Sequence, residues 1–240
     1  MHPKLSDLKI YKKIAAKQSI KVVAFGSSST QRFMCGMHWF DYVELGFKNY
    51  HSHTVGQFIN SGVSNDSTVQ WLERFDNECA VYCPDLVLFT VGANDCRLEH
   101  PFEMFRSNLL IIHDKIKKIN ADVVFQTFYP TDLERSSGVW LKVEEYLPVA
   151  RQVAEETGCF LIDTGKRWKA LREHDLGLYR TLLRDFAHLN EFGNMVLGLD
   201  VARFFGVGLL LRDAQIDYCK EGIIMQYKID ELNRQNRLSA

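Results

Sequence analysis

Four short segments carry residue types that can do acyl-transfer chemistry. Gly26-Ser27-Ser28-Ser29-Thr30 offers a run of hydroxyls, Asn60-Ser61-Gly62 a glycine beside polar side chains, Gly92-Ala93-Asn94-Asp95 an amide and a carboxylate, and Asp185-Phe186-Ala187-His188 a carboxylate three residues before an imidazole. A serine hydroxyl is a poor nucleophile near neutral pH and needs a base to take its proton. Histidine, with an unperturbed pKa of about 6.5, supplies a neutral imidazole at pH 7. An aspartate three residues earlier can curl back to hold one ring nitrogen and stabilise the imidazolium that forms. Each segment also has a plain structural reading. GSSST suits a strand end followed by a helix cap, GAND a turn in which Asp95 caps the next helix, and DxxH a surface turn.

The elements that must position these segments are legible as alternating strands and helices. Five runs rich in β-branched and aromatic residues read as strands: Lys21–Gly26, Val55–Gly62, Asp85–Gly92, Asp122–Tyr129 and Cys159–Gly165. The first, third and fourth are nearly continuous apolar runs, as expected of strands buried on both faces. Between them, residues Gln31–Gly46, Asp66–Cys83, Pro101–Asn120 and Val139–Thr157 read as helices. Ser64 to Ser67 supplies cap candidates for the second, and Pro101 suits the first turn of the third. Strand and helix alternating in this way predict a three-layer α/β/α sandwich around a parallel sheet. In such a sheet ligands bind beyond the carboxyl ends of the strands, where three of the four segments lie; the fourth precedes a helix of apolar pattern.

In these four blocks the sequence resembles the GDSL, or SGNH, hydrolases, a superfamily of esterases, lipases and acyl-hydrolases. FGSSST is similar to the first block of that family, NSG to the second, GAND to the third and DxxH to the fifth, in the family order, over about Lys21 to Phe205. The resemblance implies a flavodoxin-like five-stranded parallel sheet with the site at its carboxyl edge. Carried over residue by residue, it implies Ser28 as nucleophile, His188 as base and Asp185 as the acid that orients it. Ser28, Gly62 and Asn94 would be the oxyanion-hole donors. The aspartate of the family's Gly-Asp-Ser is replaced here by Ser27. A helix following Ser28 would add a favourable N-terminal dipole. The implied activity is cleavage of an ester through an acyl-enzyme, without metal or cofactor. A short O-acyl or acetyl ester of a carbohydrate or small molecule is the favoured substrate. A lysophospholipase, a thioesterase and an acyltransferase are alternatives on the same fold, and a non-catalytic binding module is the last.

Tyr129 and Trp140 are candidates for substrate contact, with Phe33, Met34, Met37 and Trp39 as further wall candidates, although burial in the core explains most of these as well. Asp163 is the rival carboxylate to Asp185, read as structural. His51 and His53 alternate without a third ligand spaced nearby, so no metal site is expected. The six cysteines are too sparse in 240 residues for a disulfide scaffold. Lys plus Arg total 29 against 30 Asp plus Glu, so no basic excess is available for gripping nucleic acid. No apolar run approaches the ~20 residues that span a bilayer, and the first residues lack a secretory pattern, which predicts a cytoplasmic protein. One domain, 1–240, is expected, with a core at about 21–206, an amphipathic helix at Leu5–Lys17 and a helical extension at 209–240. The extension is expected to dock on the domain, with a homo-oligomer formed through the terminal helices as the alternative.

Overall fold

The computed structural model describes residues 4–33, 36–91, 93–208 and 213–238. Met34, Cys35, Gly92 and the start of the tail at Leu209 lie outside the described residues, as does the side chain of Ile216. The strands are β1 (Ile20–Gly26), β2 (Gly56–Gly62), β3 (Leu86–Val91), β4 (Asp122–Thr127) and β5 (Phe160–Ile162). The first helices are α1 (Lys9–Ala15), α2 (Trp39–Tyr50), α3 (Thr68–Glu78), α4 (Ala93–Arg97) and α5 (Phe102–Lys118). They are followed by α6 (Leu147–Thr157), α7 (Thr164–His174), α8 (Leu176–Arg180), α9 (Glu191–Phe204) and α10 (Asp213–Leu238). The structure groups into two compact units interleaved along the chain. Met1–Phe33, His53–Phe128 and Ser137–Asp163 form the first, and Met34–Ser52, Tyr129–Ser136 and Thr164–Ala240 the second.

The first unit holds the sheet. All strands are parallel in the order β2-β1-β3-β4-β5, the flavodoxin-like order, with the switch in strand order at β1 and β3. β3 is buried at every residue, and β1 and β4 at all but one, which matches their unbroken apolar runs; β2 and β5, with half-exposed patterns, are the edges. Phe25, Phe89 and Phe125 stand side by side across β1, β3 and β4, with centroids 5.9 and 5.7 Å apart, and α3 lays Trp71 and Phe75 against them. Such ring pairs are worth about 0.5–1.5 kcal/mol each beyond the area they bury. α3 is fixed at its start by a reciprocal cap. Ser67 accepts from the Val69 N–H, and the Gln70 side chain accepts from the Ser67 N–H.

The second unit is helical. α2 packs on α9, where Gly198 faces the Trp39 carbonyl so closely that a Cβ would lie 2.6 Å from its oxygen. α10 docks on α7 and α9, as expected of the extension. Cys219 packs with Tyr42 and Leu199, and Arg167 joins Asp200 and Asp230. Tyr218, Ile224 and Tyr227 of α10 are exposed.

Several element boundaries differ from the sequence reading. The fifth strand stops at Ile162, because Thr164 and Gly165 already belong to α7. β4 stops at Thr127, two residues before Tyr129. Residues Gly138–Tyr146 form a 3-10 helix ahead of α6 rather than one continuous helix. The helix expected at Gln31 begins at Trp39.

Candidate active site

Gly26 closes β1 in register with Gly62, the last residue of β2. The chain then folds into one turn, in which the N–H groups of Thr30 and Gln31 both donate to the Ser27 carbonyl at 2.9 Å. Ser27 and Ser29 are buried and Ser28 is partly exposed, so Ser28 is the serine of the run that this turn presents outward. The expected helix dipole behind Ser28 is corrected by the structure. α2 starts at Trp39, capped by His38, whose ring accepts from the Phe40 N–H while Asp41 accepts from the His38 N–H. The physical reason lies under the turn. A Cβ on Gly62 would come within 2.2 Å of the Gln31 nitrogen and 2.4 Å of the Thr30 carbonyl carbon, so the chain is laid flat over β2 there. Gln31 Oε1 then accepts from the Ser64 N–H at 2.9 Å. A glycine at 62 is therefore required by the protein's own backbone, whatever it offers a ligand.

The Gly62 N–H, an oxyanion-donor candidate, donates to Asn60 Oδ1 at 3.0 Å. Asn94 lies buried in α4, directly beyond β3. Its Nδ2 donates to the main-chain oxygen of Asp66 at 2.9 Å, and its Oδ1 accepts from Arg97 Nε at 3.3 Å. An amide nitrogen carries two hydrogens, so one such bond fixes the plane of the group and leaves a second donor. Asp95 does not cap the following helix. Its fully buried carboxylate accepts from the Thr68 N–H at the start of α3 and from the Thr68 hydroxyl, with His100 Nδ1 at 3.0 Å. Ser28, Gly62 and Asn94 thus all belong to the first unit, at the carboxyl ends of β1, β2 and β3.

Asp185 and His188 belong to the second unit and are joined there. A bridge between Leu183 and Leu189 closes a small loop, with the Arg184 N–H donating to the His188 carbonyl at 2.8 Å. At its tip Asp185 Oδ1 accepts from the N–H groups of Ala187 and His188, at 2.8 and 2.7 Å. His188 Nδ1 stands 2.9 Å from Asp185 Oδ2. Burial opposes ionisation of Asp185, but those two N–H donors and the neighbouring imidazole outweigh it and hold its pKa below the ordinary value. The loop is braced from outside by the Asp132 N–H, which donates to the Phe186 carbonyl at 2.8 Å. Asp132, fully buried, is gripped in turn by Arg180 through Nε and Nη2.

The remaining candidates separate cleanly. Tyr129 is 2% exposed and its ring packs 5.9 Å from Trp168, so it is a core residue of the second unit rather than a wall. Trp39 is buried, and Met37 packs beside Tyr42, Leu199 and Cys219. Trp140 is half-buried in the 3-10 helix and Phe33 is exposed, which leaves these two able to meet a ligand. Asp163 is held by Arg151 through both oxygens and by the Thr127 hydroxyl, the structural role read for it. The Cys96 thiol donates to the Val139 carbonyl, and burial pushes its pKa up to about 11, which disfavours a thiolate. Among the described residues no three His, Cys, Asp or Glu side chains group as metal ligands, and no helix is long and apolar enough to cross a membrane. Asn60 lies in the NSG segment but its bond to the Gly62 N–H is not read from it, and Asp66 and Asp132 are missed because they hold the candidate residues through main-chain groups 28 and 54 residues away, which no local pattern announces.

The chain's sequence matches the profile of the GDSL-like Lipase/Acylhydrolase family over residues 24–196. No curated protein matches it by sequence. Among solved structures it is similar to the acetylxylan esterase Axe2 from Geobacillus stearothermophilus. The TM-score is 0.69 at 18% identity, covering 81% of this chain and 98% of that one. It is also similar to the acetyl xylan esterase AlAXEase, with a TM-score of 0.67 at 22% identity, covering 77% of this chain and 99% of that one. At these identities the likeness shows the fold, the α/β fold with a five-stranded parallel sheet and helices on both sides that the strand pattern predicts.

Proposed function

The chain belongs to the GDSL-like lipase/acylhydrolase family, a group of serine ester hydrolases, and we propose that within it the protein removes short acyl groups, acetyl first, from a carbohydrate or small-molecule ester. Ser28 attacks the ester carbonyl as His188 takes its proton. The developing oxyanion is met by the N–H groups of Ser28 and Gly62 and by the Asn94 amide. With Nδ1 of His188 facing the Asp185 carboxylate, the proton goes to Nε2 and passes from there to the leaving alcohol. Water then repeats the sequence on the acyl-enzyme. Asp185, held ionised, keeps the ring in the right tautomer and stabilises the imidazolium. The Gly62 N–H must leave Asn60 Oδ1 when the oxyanion forms, so Asn60 occupies that donor while no substrate is bound.

One observation carries the reading. Within the serine run the turn exposes Ser28 alone, and the sequence that follows β1, β2 and β3 puts a hydroxyl, a main-chain N–H and a fixed amide at three adjacent parallel strand ends. The acetyl preference is supported by what the two similar structures are named for, acetylxylan esterases. A panel of acetyl, butyryl and octanoyl esters, an acetylated xylo-oligosaccharide and an acyl thioester tests it. Turnover highest on the acetyl esters and absent in Ser28→Ala supports the proposal. A preference for octanoyl chains, or a Ser28→Ala variant that still turns over, contradicts it.

A further inference from the structure

Arg74 lies on α3, outside every motif the sequence presents, and its side chain is 11% exposed. Its guanidinium reaches three separate stretches of chain. Nη2 donates to the Gly26 carbonyl at 2.8 Å, which closes β1 just before the serine run. Nη1 donates to the Ser61 carbonyl at 3.0 Å and the Ser61 hydroxyl at 3.2 Å, immediately before Gly62, and to Glu78 Oε2 at 2.9 Å. Nε donates to the carboxylate of Asp66, the residue whose main-chain oxygen holds Asn94 Nδ2. The face of the group lies over the Phe25 ring, 4.3 Å from its centroid.

An ion pair kept for stability alone needs one carboxylate. Here two of the acceptors are main-chain carbonyls at the ends of adjacent parallel strands. The Gly26 carbonyl already accepts from the Val63 N–H at 3.1 Å, so Arg74 fills its second lone pair and locks the β1 end against the chain leaving β2. A planar group with five donors in a fixed fork can fix the relative placement of several acceptors at once; a single ammonium cannot. We propose that Arg74 is a positioning residue that sets the spacing between the Ser28 turn, the Gly62 N–H and the Asn94 amide, so that three donors converge on one oxyanion. The inference rests on the assignment of those residues above and deepens it: catalytic geometry in the first unit is held from behind by one guanidinium that never touches substrate.

The test is Arg74→Lys, which keeps the charge and loses the fork, assayed beside Ser28→Ala and Glu78→Gln. The substrate is p-nitrophenyl acetate, and a trifluoromethyl ketone serves as tetrahedral analogue. Positioning predicts that kcat in Arg74→Lys falls by at least ~tenfold with KM within about threefold of wild type. The ketone's Ki should weaken in proportion to kcat/KM, as expected when transition-state contacts alone are lost. Glu78→Gln, which removes the charge of the outermost partner, should lower Tm and leave kcat unchanged. A purely structural role would lower Tm in both variants without moving the ratio of Ki to KM, and that result overturns the proposal. If Arg74→Lys does not fold, Arg74→Gln takes its place in the same assays at lower temperature. Failure of both to fold also counts against the proposal, because it makes Arg74 a requirement for folding. An active Ser28→Ala would sink the functional reading itself; an inactive Ser28→Ala with a wild-type Arg74→Lys would sink this inference alone.

Discussion

Replacing Asn94 by alanine removes two hydrogen bonds from a buried side chain, the one to the Asp66 carbonyl at 2.9 Å and the longer one from Arg97 at 3.3 Å. Each is worth about 1 kcal/mol to the folded state, so the variant loses roughly 2 kcal/mol. Against the roughly 5–15 kcal/mol that a native protein holds in reserve, it stays folded at 25 °C, with Tm lowered by roughly 4–8 °C for a chain of this size. The effect on rate is of another order. The second hydrogen on Nδ2, aimed by the Asp66 bond, is assigned to the oxyanion, and loss of one such donor costs about 3 kcal/mol of transition-state stabilisation. kcat on an acetyl ester should therefore fall by roughly a hundredfold or more while KM moves little. Arg97→Ala separates the two effects, since it removes the 3.3 Å bond and keeps the donor; its kcat should stay within about threefold of wild type. Steady-state kinetics with a thermal melt on each variant settles the matter. A folded Asn94→Ala with near-wild-type kcat would refute the assignment of its amide.

Three further outcomes are expected. Gly62→Ala places a methyl within 2.2 to 2.7 Å of the Thr30–Gln31 backbone, which has no flexible end to yield; Tm and esterase activity should both collapse, and an alanine variant with wild-type values of either would show that the turn is not seated as described. Arg180 beside Asp132 holds that carboxyl below the ordinary carboxylate range, with burial working against it. A lowered folded-state pKa gives stability that is complete above the unfolded value and is lost as pH falls through the folded one. Asp132→Asn should therefore melt well below wild type at pH 7, the gap closing below about pH 4; a gap unchanged by pH would contradict the pairing. Asp132→Asn should also lower kcat more than it changes KM, because weakening the Arg180 grip loosens the segment whose Asp132 N–H braces the loop tip at Phe186; an unchanged kcat would show that this grip does not hold the loop in its catalytic position.

What the sequence discloses here follows from which interactions are local. β1, β3 and β4 are readable because central parallel strands must be apolar at almost every position, and they are. Ser67 as a cap within the Ser64 to Ser67 run, and Asp185 with His188, are readable because caps and short turns act between residues a few positions apart. The start of α2 is misread because Gln31 to Met37 carries apolar residues at helical spacing, while the constraint that flattens the first of them, Gly62 beneath Thr30 and Gln31, lies some thirty positions along the chain. α7 is missed because its sequence, TGKRWKALREH, is mostly polar, with Trp168, Ala170 and Leu171 its apolar side chains, and Asp163-Thr164-Gly165 imitates a strand end. Arg74 and Asp132 escape for the same reason: a guanidinium meeting Gly26, 48 residues away, or a carboxylate meeting Arg180, also 48 away, leaves no periodic trace.

The claim beneath the rest is that the Ser28 hydroxyl carries the acyl group. Rapid acid quench of the enzyme during turnover of an acetyl ester, followed by proteolysis and mass spectrometry of the peptides, reads this directly. One acetyl group is expected on the peptide containing Ser28, located on Ser28 by fragmentation. The adduct should be absent from Ser28→Ala, and its formation should be strongly slowed in His188→Ala. An acetyl group mapped to Ser27, Ser29 or Cys96, or undiminished labelling without the imidazole, would contradict it.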